Sequence, residues 1–84
     1  MYTYVFAPSA LKELKKLSTD IRKRIITKLD HYTSSENPLL FADALVNHEI
    51  GSYRFRVGDY RIIFDREDEV IVVLAVGHRR DIYK

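Results

Sequence analysis

The 84-residue sequence contains no cysteine. That absence removes a disulfide framework, a thiolate nucleophile and thiolate zinc sites, and it fits a reducing compartment, so the cytoplasm is the expected location. No apolar run approaches the roughly 20 residues that a membrane helix needs. The N-terminus Met1-Tyr2-Thr3-Tyr4-Val5-Phe6 lacks the basic n-region of a signal peptide. The expectation is a soluble protein that is not secreted and uses no membrane. Excess charge of one sign is also scarce: the net charge is +2, with a pI near 9.0. Overall balance therefore argues only weakly for nucleic acid, and the placement of the cations matters more than their total. The histidines His31, His48 and His78 have no tight ligand spacing, so no metal is expected.

Hydrophobic residues make up 46% and aromatics 12% of the chain, the latter as six Tyr and four Phe, enough for one packed core. Residues 1–84 read as a single domain without repeats or linkers. A domain this small buries a modest fraction of its surface, so its stability margin is thin and a partner is expected to supplement it.

Tyr2 to Phe6 is rich in aromatic and β-branched residues and predicts a short strand ending before Pro8, which suits the first turn of a helix. From Ser9 to Leu17 the apolar positions Ala10, Leu11, Leu14 and Leu17 fall at helical spacing. Ser18-Thr19-Asp20 supplies caps for a second helix whose stripe is Ile21, Ile25, Leu29 and Tyr32, widened by Ile26. The two predict an antiparallel helical hairpin. Thr33 to Pro38 ends the second helix, and Leu39 to Val46 stays open between a helical turn and irregular chain. From Ser52 the period changes to two. Strands are expected over Ser52 to Val57, Tyr60 to Asp65 and Val70 to Val76, joined by Gly58-Asp59 and by Arg66 to Glu69. Short turns make this an antiparallel meander, and the helices must cover one of its faces, so the class is α+β.

With Gly58-Asp59 as the turn, Val57 pairs with Tyr60, Phe55 with Ile62 and Tyr53 with Phe64 on a core face. The same register sets Arg56 opposite Arg61 and Arg54 opposite Ile63 on the other face. Like charges facing each other across a strand pair repel, so something anionic must offset them. Either Glu49, Asp65 and Glu67 do so as surface ion pairs, or a ligand does. Arginine stands at each of these positions, and its planar fork matches phosphate oxygens two at a time, which favours phosphate. The segment from Gly77 to Lys84 adds His78, Arg79, Arg80, Tyr83 and Lys84. It reads either as a tail with Ile82 and Tyr83 packed back on the sheet or as part of the same site. Lys12, Lys15, Lys16, Arg22, Lys23, Arg24 and Lys28 make the helices strongly basic, as a solvated face or as a source of salt-sensitive RNA affinity.

Two stretches carry a resemblance. Tyr53-Arg54-Phe55-Arg56-Val57-Gly58-Asp59-Tyr60-Arg61-Ile62-Ile63-Phe64, followed by Val76-Gly77-His78-Arg79-Arg80-Asp81-Ile82-Tyr83, resembles the signature of the RelE/ParE toxin superfamily. The likeness continues through the N-terminal strand and Ala10-Leu11-Lys12-Glu13-Leu14. It implies the toxin of a toxin-antitoxin pair, with a helical hairpin on one curved, mostly antiparallel sheet and a cognate antitoxin as partner. RelE-like members cut mRNA in the ribosomal A site, where the ribose 2′-OH attacks the adjacent phosphate, with no metal or other cofactor. By motif position Arg54 and Arg56 match paired basic strand residues, Arg61 a phosphate-contacting arginine, Arg79 a leaving-group arginine and Tyr83 a C-terminal tyrosine. Arg54, Arg61, Arg79 and Tyr83 are thus the candidate catalytic residues, and Arg56, His78, Arg80 and Lys84 the candidate RNA contacts.

The well-studied members carry lysine where this chain has Arg54 and Arg56. Arginine orients phosphate but does not exchange a proton, which leaves Tyr83, His78 or ribosomal groups for the base. Related ribonucleases pair a C-terminal histidine with an upstream glutamate, here His78 and Glu49, and Arg80 can fill the role given to Arg79. Two other readings attach to the same superfamily. One is a ParE-like gyrase poison, against which Arg54, Arg61, Arg79 and Tyr83 speak; the other is a weakly active homologue that mainly binds antitoxin and co-represses its operon.

Overall fold

The structure, a computed structural model, describes residues 1–46 and 49–83. His48 and Lys84, both named above, lie outside the described residues. The chain runs β1 (Thr3–Phe6), α1 (Pro8–Lys15), α2 (Thr19–Ser34), a 3-10 turn (Pro38–Phe41), β2 (Asp43–Ala44), β3 (Tyr53–Val57), β4 (Tyr60–Glu67) and β5 (Val70–His78). One sheet in the order β1-β5-β4-β3-β2 holds all five strands, antiparallel except for the parallel β1–β5 pair. This is the expected α+β arrangement, with β2 added in the stretch the sequence left open. No helix among the described residues is long and apolar enough to cross a membrane.

Pro8 opens α1, where its missing N–H costs nothing. The helix stops two residues before the expected Leu17, because the N–H groups of Lys16 and Leu17 bond three residues back, to Glu13 and Leu14, and tighten the last turn. Ser18 then caps α2, its hydroxyl accepting from the Ile21 N–H at 3.4 Å. Ala10 and Leu14 of α1 and Ile25, Leu29 and Tyr32 of α2 bury against Phe55, Val57, Ile62, Phe64, Ile71, Val73 and Val76. Each large side chain so buried contributes about 1.5–3 kcal/mol relative to exposure.

The β3–β4 register is the one the alternation requires: Val57 with Tyr60, Arg56 with Arg61, Phe55 with Ile62, Arg54 with Ile63, Tyr53 with Phe64. Gly58 allows the turn, at φ 59, and an added Cβ there would stand 3.0 Å from Arg24 Nη2. The second turn is shorter than expected. Asp68 adopts φ 53, so Asp68-Glu69 suffices and the strands extend to Glu67 and from Val70. Strand β5 continues to His78, paired with Tyr60, and a bulge opposite Ile63 and Phe64 makes Leu74 the extra residue.

The face away from the helices is not bare. Ile63, Ala75 and Ile82 form a second buried cluster with Leu45 packed against it. Gly51 also lies against this face, where an added Cβ would stand 2.8 Å from Ile63 Cγ2. What remains for the arginines is a strip beside this cluster.

Candidate functional site

Strand alternation puts Arg54 and Arg56 on the side of β3 away from the helices, and the short edge strand β2 brings Asp43 opposite Arg54. Arg54 Nη2 and Arg56 Nε reach the same carboxylate oxygen, Asp43 Oδ2, at 3.0 and 3.1 Å. Arg54 Nη1 donates to Tyr83 Oη at 2.9 Å, and its Nε is buried without a hydrogen-bond partner. The hydrogen bond from Arg54 holds the Asp43 carboxyl below the usual carboxylate range, with burial opposing and the charges of Arg56, Arg54 and Arg61 assisting. The Arg54 guanidinium is pushed upward, first by the Tyr83 hydrogen bond and then by Asp43, against its burial.

Arg61 Nη1 donates to the carbonyls of Gly58 at 2.9 Å and Tyr60 at 3.0 Å, so its fork is anchored over the β3–β4 turn. The same turn receives the C-terminal segment: the Arg79 N–H donates to the Asp59 carbonyl at 2.8 Å, and Arg79 Nε lies 3.8 Å from Asp59 Oδ1. The N–H groups of Asp81 and Ile82 both bond to the His78 carbonyl, coiling residues 79–83 back so that Ile82 buries on Ile63 and Ala75. This packing delivers Tyr83 to Arg54.

A cleft of about 420 Å³ extends from Arg56 between β3 and α2. Lys23, Arg24 and Lys28 line it with Tyr32 and Val57, and among the described residues no carboxylate does. Among the described residues, no group of three or more His, Cys, Asp or Glu is placed to hold a metal.

Residues 4–83 match the family model of the ParE toxin of the type II toxin-antitoxin system parDE. The chain belongs to the RelE/ParE toxin superfamily. It is similar to Toxin RelG of Mycobacterium tuberculosis, at 32% identity over 99% of this chain and 97% of that protein. Toxin RelE3 of Methanocaldococcus jannaschii is 33% identical over 94% of this chain and 92% of its own. A solved structure, that of the RelBE2 toxin-antitoxin complex from Mycobacterium tuberculosis, contains a chain with a TM-score of 0.81 and 30% identity, covering 93% of this chain and 98% of that one.

In this RelE/ParE toxin the candidate residues do not all meet. Arg54, Arg56 and Tyr83 are joined through direct contacts, and Arg61 adds its charge to the field at Asp43. Arg79 sits at the β3–β4 turn. Arg80 is exposed, and its N–H donates to His78 Nδ1 at 3.1 Å, which requires the proton of a neutral ring on Nε2. His78 is set apart: paired with Tyr60, and with its ring 5.4 Å from that of Tyr60 at 77°, it lies on the helix-bearing side of the sheet, opposite the arginine strip. Lys84 lies outside the described residues.

The arginines' ion pairs among the described residues go to Asp43 and Asp59, not to Glu49, Asp65 or Glu67. Asp65 instead accepts from the Ser52 N–H at 2.7 Å. Asp43 is the residue that sequence reasoning missed, and one signal could have found it: it is the only acid between Glu36 and Glu49.

Proposed function

We propose that this toxin is a RelE-like endoribonuclease that cuts mRNA in the ribosomal A site. The observation that carries the reading is the convergence of Arg54 and Arg56 on one oxygen of one carboxylate, with the Tyr83 hydroxyl on the same guanidinium. Two guanidinium groups gathered at one oxyanion form a seat for a nonbridging phosphate oxygen, and a phenol beside it can move a proton.

In the reaction the 2′-OH gives its proton to a base supplied by the ribosome and its oxygen bonds the adjacent phosphorus, negative charge builds on the equatorial oxygens, and the bond to the 5′-oxygen breaks, leaving a 2′,3′-cyclic phosphate while that oxygen takes a proton from Tyr83. Arg54 and Arg61 offset the developing charge, and Arg79 and Tyr83 serve the leaving oxygen. Tyr83 Oη accepts from Arg54, and its phenol is the proton donor assigned to the leaving oxygen. Asp43 is a weak proton acceptor while Arg54 holds it down. Arg56, Arg80, Lys84 and His78 contribute RNA contacts, and the cleft from Arg56 to Lys23, Arg24 and Lys28 offers the backbone a cationic continuation.

The proposed partners are the ribosome with its mRNA and a cognate antitoxin; the similar RelBE2 structure is itself that of a toxin-antitoxin complex. The cytoplasm is the proposed site of action. The test is to incubate purified toxin with mRNA alone and with ribosomes programmed by that mRNA. Cleavage is expected only on ribosomes. The family model's description as a ParE toxin favours one second reading, a gyrase poison. Inhibited supercoiling with intact mRNA would establish that reading and exclude the first.

A further inference from the structure

The cationic seat of the toxin is already occupied from within. Asp43 Oδ2 accepts a hydrogen bond from Arg54 Nη2 at 3.0 Å and pairs with Arg56 Nε at 3.1 Å, and so holds the place beside both guanidinium groups that a phosphate oxygen would need. The carboxylate is accessible, with 39% of its side-chain surface exposed. Its strand β2 is two residues long and pairs with the rest of the sheet only through β3, opposite Arg54 and Tyr53. So short an edge segment opens at low cost compared with the core strands.

The β3–β4 pair explains why an internal anion is needed. Arg56 faces Arg61 across the strands, and without a negative charge nearby the repulsion would splay both side chains. Asp43 supplies that charge in the unliganded protein and fixes the two β3 guanidinium groups at the spacing of one shared oxygen. When a phosphodiester arrives, however, two anions compete for the same donors.

We infer that Asp43 is an internal rival of the RNA phosphate: it preorganises Arg54 and Arg56, and it lowers RNA affinity until it is displaced from them. This rests on the reading of the seat as an RNA phosphate site. Asp43 thereby sets how readily the toxin engages RNA away from its target, where binding would be unproductive.

The experiment measures binding of a single-stranded 2′-O-methyl RNA oligonucleotide, which lacks the nucleophilic hydroxyl, by fluorescence anisotropy. Wild type is compared with Asp43→Asn, which keeps the shape and can still accept from Arg54, with Asp43→Ser in case the first fails to fold, and with Asp43→Glu. Asp43→Asn should bind roughly two- to fivefold tighter than wild type, the range expected for losing an exposed ion pair. Its affinity should fall more steeply with salt, because more cation becomes available to the RNA, and Asp43→Glu should restore weaker binding. A merely structural Asp43 would give equal or weaker binding in the folded Asn variant, and that result overturns the inference, as does absence of binding by both proteins. Ribosome cleavage by wild type, run in parallel, separates the two claims. Tightened binding with intact mRNA upholds Asp43 as the rival and sinks the interferase; unchanged binding with cut mRNA does the opposite.

Discussion

Arg54 Nη1 and Tyr83 Oη, 29 residues apart in the chain, are joined by a hydrogen bond of 2.9 Å. One is the second residue of β3 and the other the last described residue, so the bond ties the C-terminal turn to the arginine strip. Tyr83→Phe keeps the ring and removes the hydroxyl. Single-turnover cleavage on ribosomes should fall by about a hundredfold or more, the scale of losing a positioned acid or base. Urea unfolding should shift by only about 1 kcal/mol or less.

Ile82 is the anchor that makes the contact possible. It is 8% exposed and packs on Ile63 and Ala75, between Arg79 and Tyr83. Ile82→Ala should cost about 2 kcal/mol in urea unfolding, the low end for a buried isoleucine because the terminal turn can partly collapse. Cleavage should weaken as well, although Ile82 touches no RNA in this account. Unchanged kinetics would mean that the C-terminal turn need not be held.

Tyr4 predicts the alkaline behaviour of the fold. Its phenol is pushed up from 10.0 to about 12, first by burial and then by Asp30, whose Oδ1 accepts its hydrogen bond at 2.8 Å. Burial also pushes Tyr32 up. Since the folded value of Tyr4 exceeds the unfolded one, the native state holds the proton more tightly. That contribution is complete below the unfolded value and is lost as pH rises through the folded one. In an absorbance titration near 295 nm, Tyr4 should ionise late among the six tyrosines. Tyr4→Phe should flatten the fall in stability over this pH window.

How much of this was legible in the sequence depends on the reach of each signal. Gly58-Asp59 pins a two-residue turn, and period-2 alternation on either side fixes every pairing from Tyr53–Phe64 to Val57–Tyr60, so Arg54, Arg56 and Arg61 could be assigned to one face. Asp43 could not be linked to them. A strand of two residues has no periodicity, and its pairing with Arg54 depends on a connection whose length does not dictate register. His78 was also out of reach, because β5 runs on to His78, paired with Tyr60, instead of ending at Val76, and so gives that residue a face. The offsetting anion is thus within the protein, yet it is a carboxylate that a ligand can displace rather than the surface acids Glu49, Asp65 and Glu67.

The measurement that bears most directly on the account is the mapping of mRNA 5′ ends after induced expression of the toxin, wild type beside Arg61→Ala. Arg61 carries its charge beside the Arg54–Asp43–Arg56 contact and is anchored by the carbonyls of Gly58 and Tyr60. Its loss should remove transition-state stabilisation worth about a hundred- to a thousandfold. New mRNA ends within translated regions are predicted for wild type and should nearly vanish with Arg61→Ala. Intact message accompanied by growth arrest, or identical ends from both proteins, would contradict the assignment of the arginine strip to RNA cleavage.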